Sequence, residues 1–192
     1  MAWSSFAATF VPVFLAELPD KSMVATLVLT GTHKRPLAVW LGVAGAFTVH
    51  MAVATVAGDV LGRLPHRVIA IAAAVLFATG AVLLWRRRVD AETATIEETG
   101  PRLSAPRVSA VAFATILVAE VGDLTQLSVA GLAATRPSPF FVFLGGLLAV
   151  GTVALLAVVV GQRLLTKLPI RALHTIAALV FGALAMWSLS NA

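Results

Sequence analysis

Six long apolar segments alternate with shorter polar breaks along the 192 residues of the chain. Each segment holds the roughly 20 apolar residues that a helix needs to cross the hydrocarbon core of a bilayer. Charged residues and helix-ending prolines occupy most of the breaks. This pattern predicts an all-α integral membrane protein with six transmembrane helices. The predicted helices cover residues 6–30, 36–61, 67–86, 108–134, 139–165 and 169–189.

A longer polar stretch separates the third and fourth apolar segments. It opens with arginines and continues as an acidic, threonine-rich sequence without hydrophobic periodicity, which is typical of a linker. We therefore divide the chain into a first three-helix unit (1–86), a linker (87–107) and a second three-helix unit (108–192).

The second unit repeats features of the first. When the acidic motif that begins at Glu120 is aligned on the one that begins at Glu17, Gly145 also falls on Gly42. Because three helices are an odd number, the two units enter the membrane from opposite sides. The sequence therefore predicts an inverted-topology repeat, an arrangement found in many secondary transporters.

The composition agrees with a membrane protein and indicates its orientation. Hydrophobic residues make up 59% of the chain and charged residues 12%, with a mean hydropathy of +0.96, which excludes a soluble globular domain. The net charge of +5 does not indicate nucleic-acid binding, because the basic residues lie between the apolar segments. Ten loop Lys and Arg residues lie on the side of the linker and three on the other side. The positive-inside rule thus predicts a protein of the cell membrane with a cytoplasmic linker and extracytoplasmic termini.

Five charged residues lie well inside the first and fourth predicted helices. They are Glu17, Asp20, Lys21, Glu120 and Asp123. Each charge at the centre of a bilayer costs about 2.5–3.5 kcal/mol, and one lysine cannot neutralise four acids in a set of structural salt bridges. Each acid pair is spaced i, i+3 and lies on one helix face. We expect the two faces to meet at the membrane midplane as a cation site.

The neighbours of the acids fit such a site. Ser22, Thr125 and Gln126 supply neutral oxygens, while Pro19 and Gly122 occupy equivalent places where a helix can unwind towards an ion. Oxygen ligands in a chain without cysteine favour a hard divalent cation such as Mn²⁺ or Ca²⁺. Crowded carboxylates take up protons when the cation leaves. The divalent cation and the protons then compete for the same carboxylate oxygens. Such competition predicts an antiporter, which exchanges one for the other across the membrane.

At these motifs the chain resembles the manganese/calcium:proton exchangers of bacterial, plastid and Golgi membranes, which carry two copies of Glu-x-Gly-Asp-(Lys/Arg)-(Thr/Ser). Residues 17–22 read Glu-Leu-Pro-Asp-Lys-Ser and residues 120–125 read Glu-Val-Gly-Asp-Leu-Thr. The resemblance implies that the four carboxylates and the adjacent hydroxyls bind the cation, and that the protein exports Mn²⁺ or Ca²⁺ in exchange for protons. Pro19 and Leu124 depart from the pattern, and Leu124 removes a positive charge from the site.

Two further residues are candidates for handling charge. We expect Lys21 to form an i, i+4 salt bridge with Glu17. Two alternatives are that its ammonium group is a tethered cation that the metal displaces, or that its side chain snorkels towards the membrane surface. His50, in the middle of the second predicted helix, is either a proton relay or an interhelical hydrogen-bond partner. Asp59 and Gln162 occupy matched span ends, where they line an entrance or are simply solvated.

Other functions fit the residues less well. An intramembrane aspartyl protease needs a tyrosine and a glycine pattern that the chain lacks, and a zinc protease needs His-Glu-x-x-His, which is also missing. The closer alternative is an exporter of Cd²⁺, Ni²⁺ or a basic amino acid. We expect no cofactor other than the transported ion. The expected partners are the cation, protons and lipid, with a second copy of the chain as a further candidate.

Overall fold

The computed structural model describes residues 2–18, 20–63, 65–87, 103–160 and 170–190, and all of the regular secondary structure in these ranges is helical. Eight helices lie within these ranges. They are α1 (Ala2–Glu17), α2 (Lys21–His33), α3 (Pro36–Leu61), α4 (His66–Arg87), α5 (Ala105–Ala119), α6 (Leu124–Thr135), α7 (Pro139–Val160) and α8 (Ile170–Ser190). The predicted all-α class is confirmed. Most of the predicted linker, Pro19 and Gln162 lie outside the described residues.

Two of the apolar segments are each divided into two helices at the acidic motifs. The first segment forms α1 and α2, and the fourth forms α5 and α6. The axes of α5 and α6 differ by 72°. The sequence predicts unwinding at both motifs, and the helices are interrupted at both.

Two helices are long and apolar enough to cross a membrane as single elements. These are α3 over its whole length and α7 over Pro139–Val159, and the bent pair of α5 and α6 passes the same test when it is counted as one span. Large apolar side chains are exposed along the outer face of α3, among them Val53 and Val56, as expected of a helix that faces lipid. The described residues thus contain two or three candidate spans, and the six-span inverted repeat stays a prediction.

The apolar core is centred on α3, which contacts α5, α6 and α7. Glycine allows close approach at several helix contacts. A Cβ atom on Gly42 of α3 would collide with the backbone oxygen of Ser109 in α5, and one on Gly145 of α7 would meet the backbone oxygen of Phe6 in α1. Both the glycines and their contacts occupy matched positions in the two halves. The pairs α3–α5 and α7–α1 therefore pack in the same way, as small residues at helix interfaces permit.

Substitution of Gly42 by alanine should destabilise the bundle. Because the new methyl group would meet backbone rather than a flexible side chain, we expect a cost of about 1–3 kcal/mol, measured as a lower melting temperature in detergent. Gly151→Ala is the matched control, because a Cβ atom there meets nothing within 4 Å. Equal melting temperatures for the two variants would contradict this packing.

Candidate cation site

The helix breaks place all four acids at helix ends. Glu17 is the last residue of α1 and Glu120 follows the end of α5, while Asp20 and Asp123 precede the first turns of α2 and α6. The amide of Asp20 donates to the carbonyl of Glu17 at 3.1 Å, and the amide of Asp123 donates to that of Glu120 at 3.3 Å. The two breaks thus share one backbone pattern. Each break therefore brings a helix C-terminus, with its partial negative charge, next to a helix N-terminus, whose partial positive charge stabilises the aspartate that precedes it.

The second break depends on a glycine. Gly122 has φ +69, in the left-handed region, and a Cβ atom there would have nothing within 4 Å. The next residue, Asp123, accepts a hydrogen bond from the amide of Gln126 at 2.8 Å and so caps α6. Asp20 holds the equivalent position before α2 without such a cap bond.

Three of the four acids converge into one cluster. Glu17, Asp20 and Asp123 each offer a carboxylate oxygen, and these oxygens all lie within 4.8 Å of one another. Two oxygens on opposite sides of a Ca²⁺ ion are about 4.6–5.2 Å apart, so a single divalent cation fits between them. The cluster combines both halves of the chain, with two carboxylates from the first motif and one from the second.

Glu17 is the most enclosed member of the cluster, with 1% of its surface exposed. Ser22 donates to its Oε2 atom at 2.5 Å, and Thr125 donates to its Oε1 atom at 2.6 Å. On continuous helices the hydroxyls of the two motifs would point away from the acids. The breaks bring one hydroxyl from each half onto the same carboxylate, which fixes its orientation.

The fourth acid, Glu120, has a different partner. The Nζ atom of Lys21 lies 3.5 Å from its Oε2 atom and donates to the carbonyl of Ala119 at 3.0 Å. Glu120 is 1% exposed, whereas the side chain of Lys21 is 51% exposed. The expected bridge between Lys21 and Glu17 is therefore wrong. It assumed one continuous helix, and the break turns the lysine towards the other half.

A polar chain connects the second motif to α3. The amide of Gly122 donates to the Oε1 atom of Gln126 at 2.7 Å, and the Nε2 atom of Gln126 lies 3.0 Å from the Nδ1 atom of His50. His50 is buried. It takes part in an interhelical hydrogen bond, and its role as a proton relay stays a prediction. Gln126, a predicted oxygen ligand, uses its oxygen for the turn at Gly122.

Of the two residues predicted to line an entrance, Asp59 and Gln162, the structure describes only Asp59. Asp59 lies near the end of α3, where its carboxylate is 3.8 Å from the guanidinium of Arg63 and both side chains are largely exposed. Its predicted counterpart, Gln162, lies outside the described residues. Asp59 therefore takes part in an exposed ion pair at a helix end, apart from the acid cluster.

Apolar helices with lipid-facing side chains, joined at buried acids, are the features of a membrane protein that moves cations. The family model described as the divalent cation/proton antiporter GDT1 matches residues 5–92 and 108–192. The chain belongs to the GDT1 family.

Two curated relatives agree with this assignment. The GDT1-like protein sll0615 of Synechocystis is 28% identical over 200 residues, which cover 96% of each chain. GDT1-like protein 3 of Arabidopsis thaliana is 37% identical over 73 residues, which cover 38% of this chain and 25% of the relative. No solved structure matches the chain.

The left-handed turn at Gly122 gives a test of the site's backbone. Gly122→Ala should lower the melting temperature in detergent, because a left-handed conformation costs an L-residue roughly 1–2 kcal/mol. No neighbouring atom blocks the methyl group, so the effect would come from the backbone conformation alone. Gly122→Asn should be milder, since asparagine adopts this conformation more readily. Gly182→Ala, in open space on α8, serves as the control. A melting temperature for Gly122→Ala equal to that of Gly182→Ala would argue against this turn.

Proposed function

We propose that the protein exports Mn²⁺, or Ca²⁺, from the cytoplasm in exchange for protons. In this proposal the cation binds between Glu17, Asp20 and Asp123, and Glu120 is the fourth acid of the site. The observation that carries the proposal is the convergence of three carboxylate oxygens, from both halves of the chain, within 4.8 Å of one another. Membership of a family of divalent cation/proton antiporters supports it.

The chemistry of the ligands favours Mn²⁺ and Ca²⁺ over softer ions. The cluster consists of carboxylates, with the hydroxyls of Ser22 and Thr125 close by, and hard oxygen donors suit Ca²⁺, Mg²⁺ and Mn²⁺. Mg²⁺ gives up its water reluctantly, so a site of this kind suits it less. Among the described residues, the cluster of possible metal ligands consists of Glu17, Asp20 and Asp123 and includes no histidine, which counts against Ni²⁺ and Cd²⁺.

Exchange follows from the charge of the site. Four ionised carboxylates and one ammonium carry a net charge of −3, which favours a dication but is costly in a low-dielectric interior when the cation leaves. Protons arriving on the carboxylates relieve this cost. Lys21, which is paired with Glu120, supplies part of the compensation. Cation and protons therefore occupy the same acids in turn.

We further propose that the two halves form a six-span inverted repeat that opens the site alternately to each side of the membrane. The matched helix breaks and the matched contacts of Gly42 and Gly145 support this arrangement. The excess of basic residues in the linker and its neighbouring loops supports a cytoplasmic linker with extracytoplasmic termini.

Neutralising either aspartate should abolish exchange. We expect purified protein in proteoliposomes to couple an imposed pH gradient to Mn²⁺ movement, and Asp20→Asn or Asp123→Asn to reduce this flux at least 10–100-fold, since even outer-shell changes cost about that much in metal affinity. Asp59→Asn is the matched control, because its carboxylate lies in an exposed ion pair. Unchanged flux in both site variants would overturn the proposed site.

Ion competition in the same assay tests the proposed substrate. Ca²⁺ should inhibit proton-coupled Mn²⁺ flux at concentrations similar to those of Mn²⁺ itself, because carboxylate oxygens are ligands that suit both ions. Mg²⁺ should compete poorly. If Cd²⁺ or Ni²⁺ competed better than Mn²⁺ and was itself exchanged for protons, the alternative of a softer-metal exporter would replace this proposal.

A further inference from the structure

Gln126 forms hydrogen bonds at the turn of the second motif through both polar atoms of its side chain and through its backbone amide. Its Oε1 atom accepts from the amide of Gly122 at 2.7 Å, and its backbone amide donates to Asp123 at 2.8 Å. Its Nε2 atom lies 3.0 Å from His50. His50, on α3, is therefore the outer anchor of a chain of hydrogen bonds that ends at a carboxylate of the acid cluster.

This network fixes the roles of its atoms. The amide of Gly122 can only donate, so the atom of Gln126 that faces it must be the oxygen, and the NH₂ group must face His50. The Nδ1 atom of His50 is then the acceptor. The bond from Gln126 thus reaches a ring nitrogen with a free lone pair, which is a well-defined interaction between α6 and α3.

At the positions that match Gln126 and His50, the described part of the first half has an apolar contact. In the repeat alignment Gln126 corresponds to Met23 and His50 corresponds to Val153. Both Met23 and Val153 are buried in one apolar cluster with Leu27. The same contact between a half-helix and a long helix is therefore polar in the second half and apolar in the first.

The turn at Gly122 is held within its own segment by the bond from the amide of Asp123 to the carbonyl of Glu120, at 3.3 Å, and the side chain of Gln126 adds a bond to the amide of Gly122. A side chain at this position would meet nothing within 4 Å, and its left-handed backbone is flanked directly by Asp123. The bond between Gln126 and His50 adds a connection from this turn to α3, beyond the bonds within the segment. Outer-shell bonds of this kind orient ligands in metal sites.

We propose that His50 is a positioning residue for the second motif. Through Gln126 it holds the turn at Gly122 in the shape that directs the Asp123 carboxylate at the cation, whereas the matching positions of the first half make an apolar contact. The inference rests on the proposed function, because it assigns His50 a role in cation affinity. It concerns the hydrogen bond that Nδ1 accepts and requires no change of protonation at His50.

The test separates the hydrogen bond from the shape of the ring. His50 packs edge-on against Phe47, with ring centroids 6.3 Å apart. His50→Phe keeps a buried ring but removes the acceptor, whereas His50→Asn places an amide oxygen near the position of Nδ1. In the proteoliposome assay we expect His50→Phe to raise the KM for Mn²⁺ about tenfold or more, with a smaller change in maximal rate, and His50→Asn to recover most of the affinity.

Val153→Ala, at the repeat-related position, is the matched control and should leave the KM for Mn²⁺ near that of the unaltered protein. A KM for His50→Phe equal to that of the unaltered protein would overturn the inference. Equal losses in His50→Phe and His50→Asn would overturn it as well, because the ring's packing rather than its acceptor would then be responsible.

Hydrogen exchange gives a second readout that does not depend on transport. In the full chain in lipid nanodiscs, the amide of Gly122 should exchange several-fold faster in His50→Phe than in the unaltered protein or in His50→Asn. Unchanged exchange in His50→Phe would refute the positioning role even if transport were impaired. If Gly122 responds as expected while Asp123→Asn leaves Mn²⁺ flux intact, the proposed function fails and the anchor itself stands.

Discussion

The cost of burying carboxylates in the apolar interior of a helical bundle is the constraint on which the rest of this structure depends. Four acids lie at the two interrupted helices, and each interruption places them where a continuous helix could not. Backbone amides, hydroxyls and one ammonium group reach them there. These partners offset part of the cost and leave a net negative cluster. A divalent cation or protons would complete the compensation.

The two motifs have the same backbone hydrogen bond, from the amide of the aspartate to the carbonyl of the glutamate, but their side chains have different partners. Glu17 receives two hydroxyls, whereas Glu120 faces Lys21. Asp123 is tied through Gln126 to α3, and the matching contact of the first half is apolar. One half-site is thus built on direct hydrogen bonds to a glutamate and the other on a charge pair and an outer anchor. Lys21, the single basic residue of the two motifs, pairs with Glu120 of the second motif, which has Leu124 in place of a basic residue.

The sequence predicted the helices and the helix breaks well because these depend on local features. Apolar runs of sufficient length, and the matched Pro19 and Gly122, are visible without knowledge of the tertiary structure. The partners of Lys21 were not predictable in the same way. The i, i+4 spacing predicts side-chain contacts only within one continuous helix. Glu17 and Lys21 lie on opposite sides of a helix break, so the spacing does not bring them together. The link between His50 and Gln126 joins residues far apart in sequence, and only the mismatch with the repeat at Val153 could have drawn attention to it.

The most direct test of the account is to locate the bound ion. Anomalous diffraction at the manganese edge, from crystals of the full chain grown with Mn²⁺, should show a peak between the carboxylates of Glu17, Asp20 and Asp123. A peak in this position would establish that both broken helices share one cation. A manganese peak bound only by other side chains, with none between these three acids, would contradict the central claim.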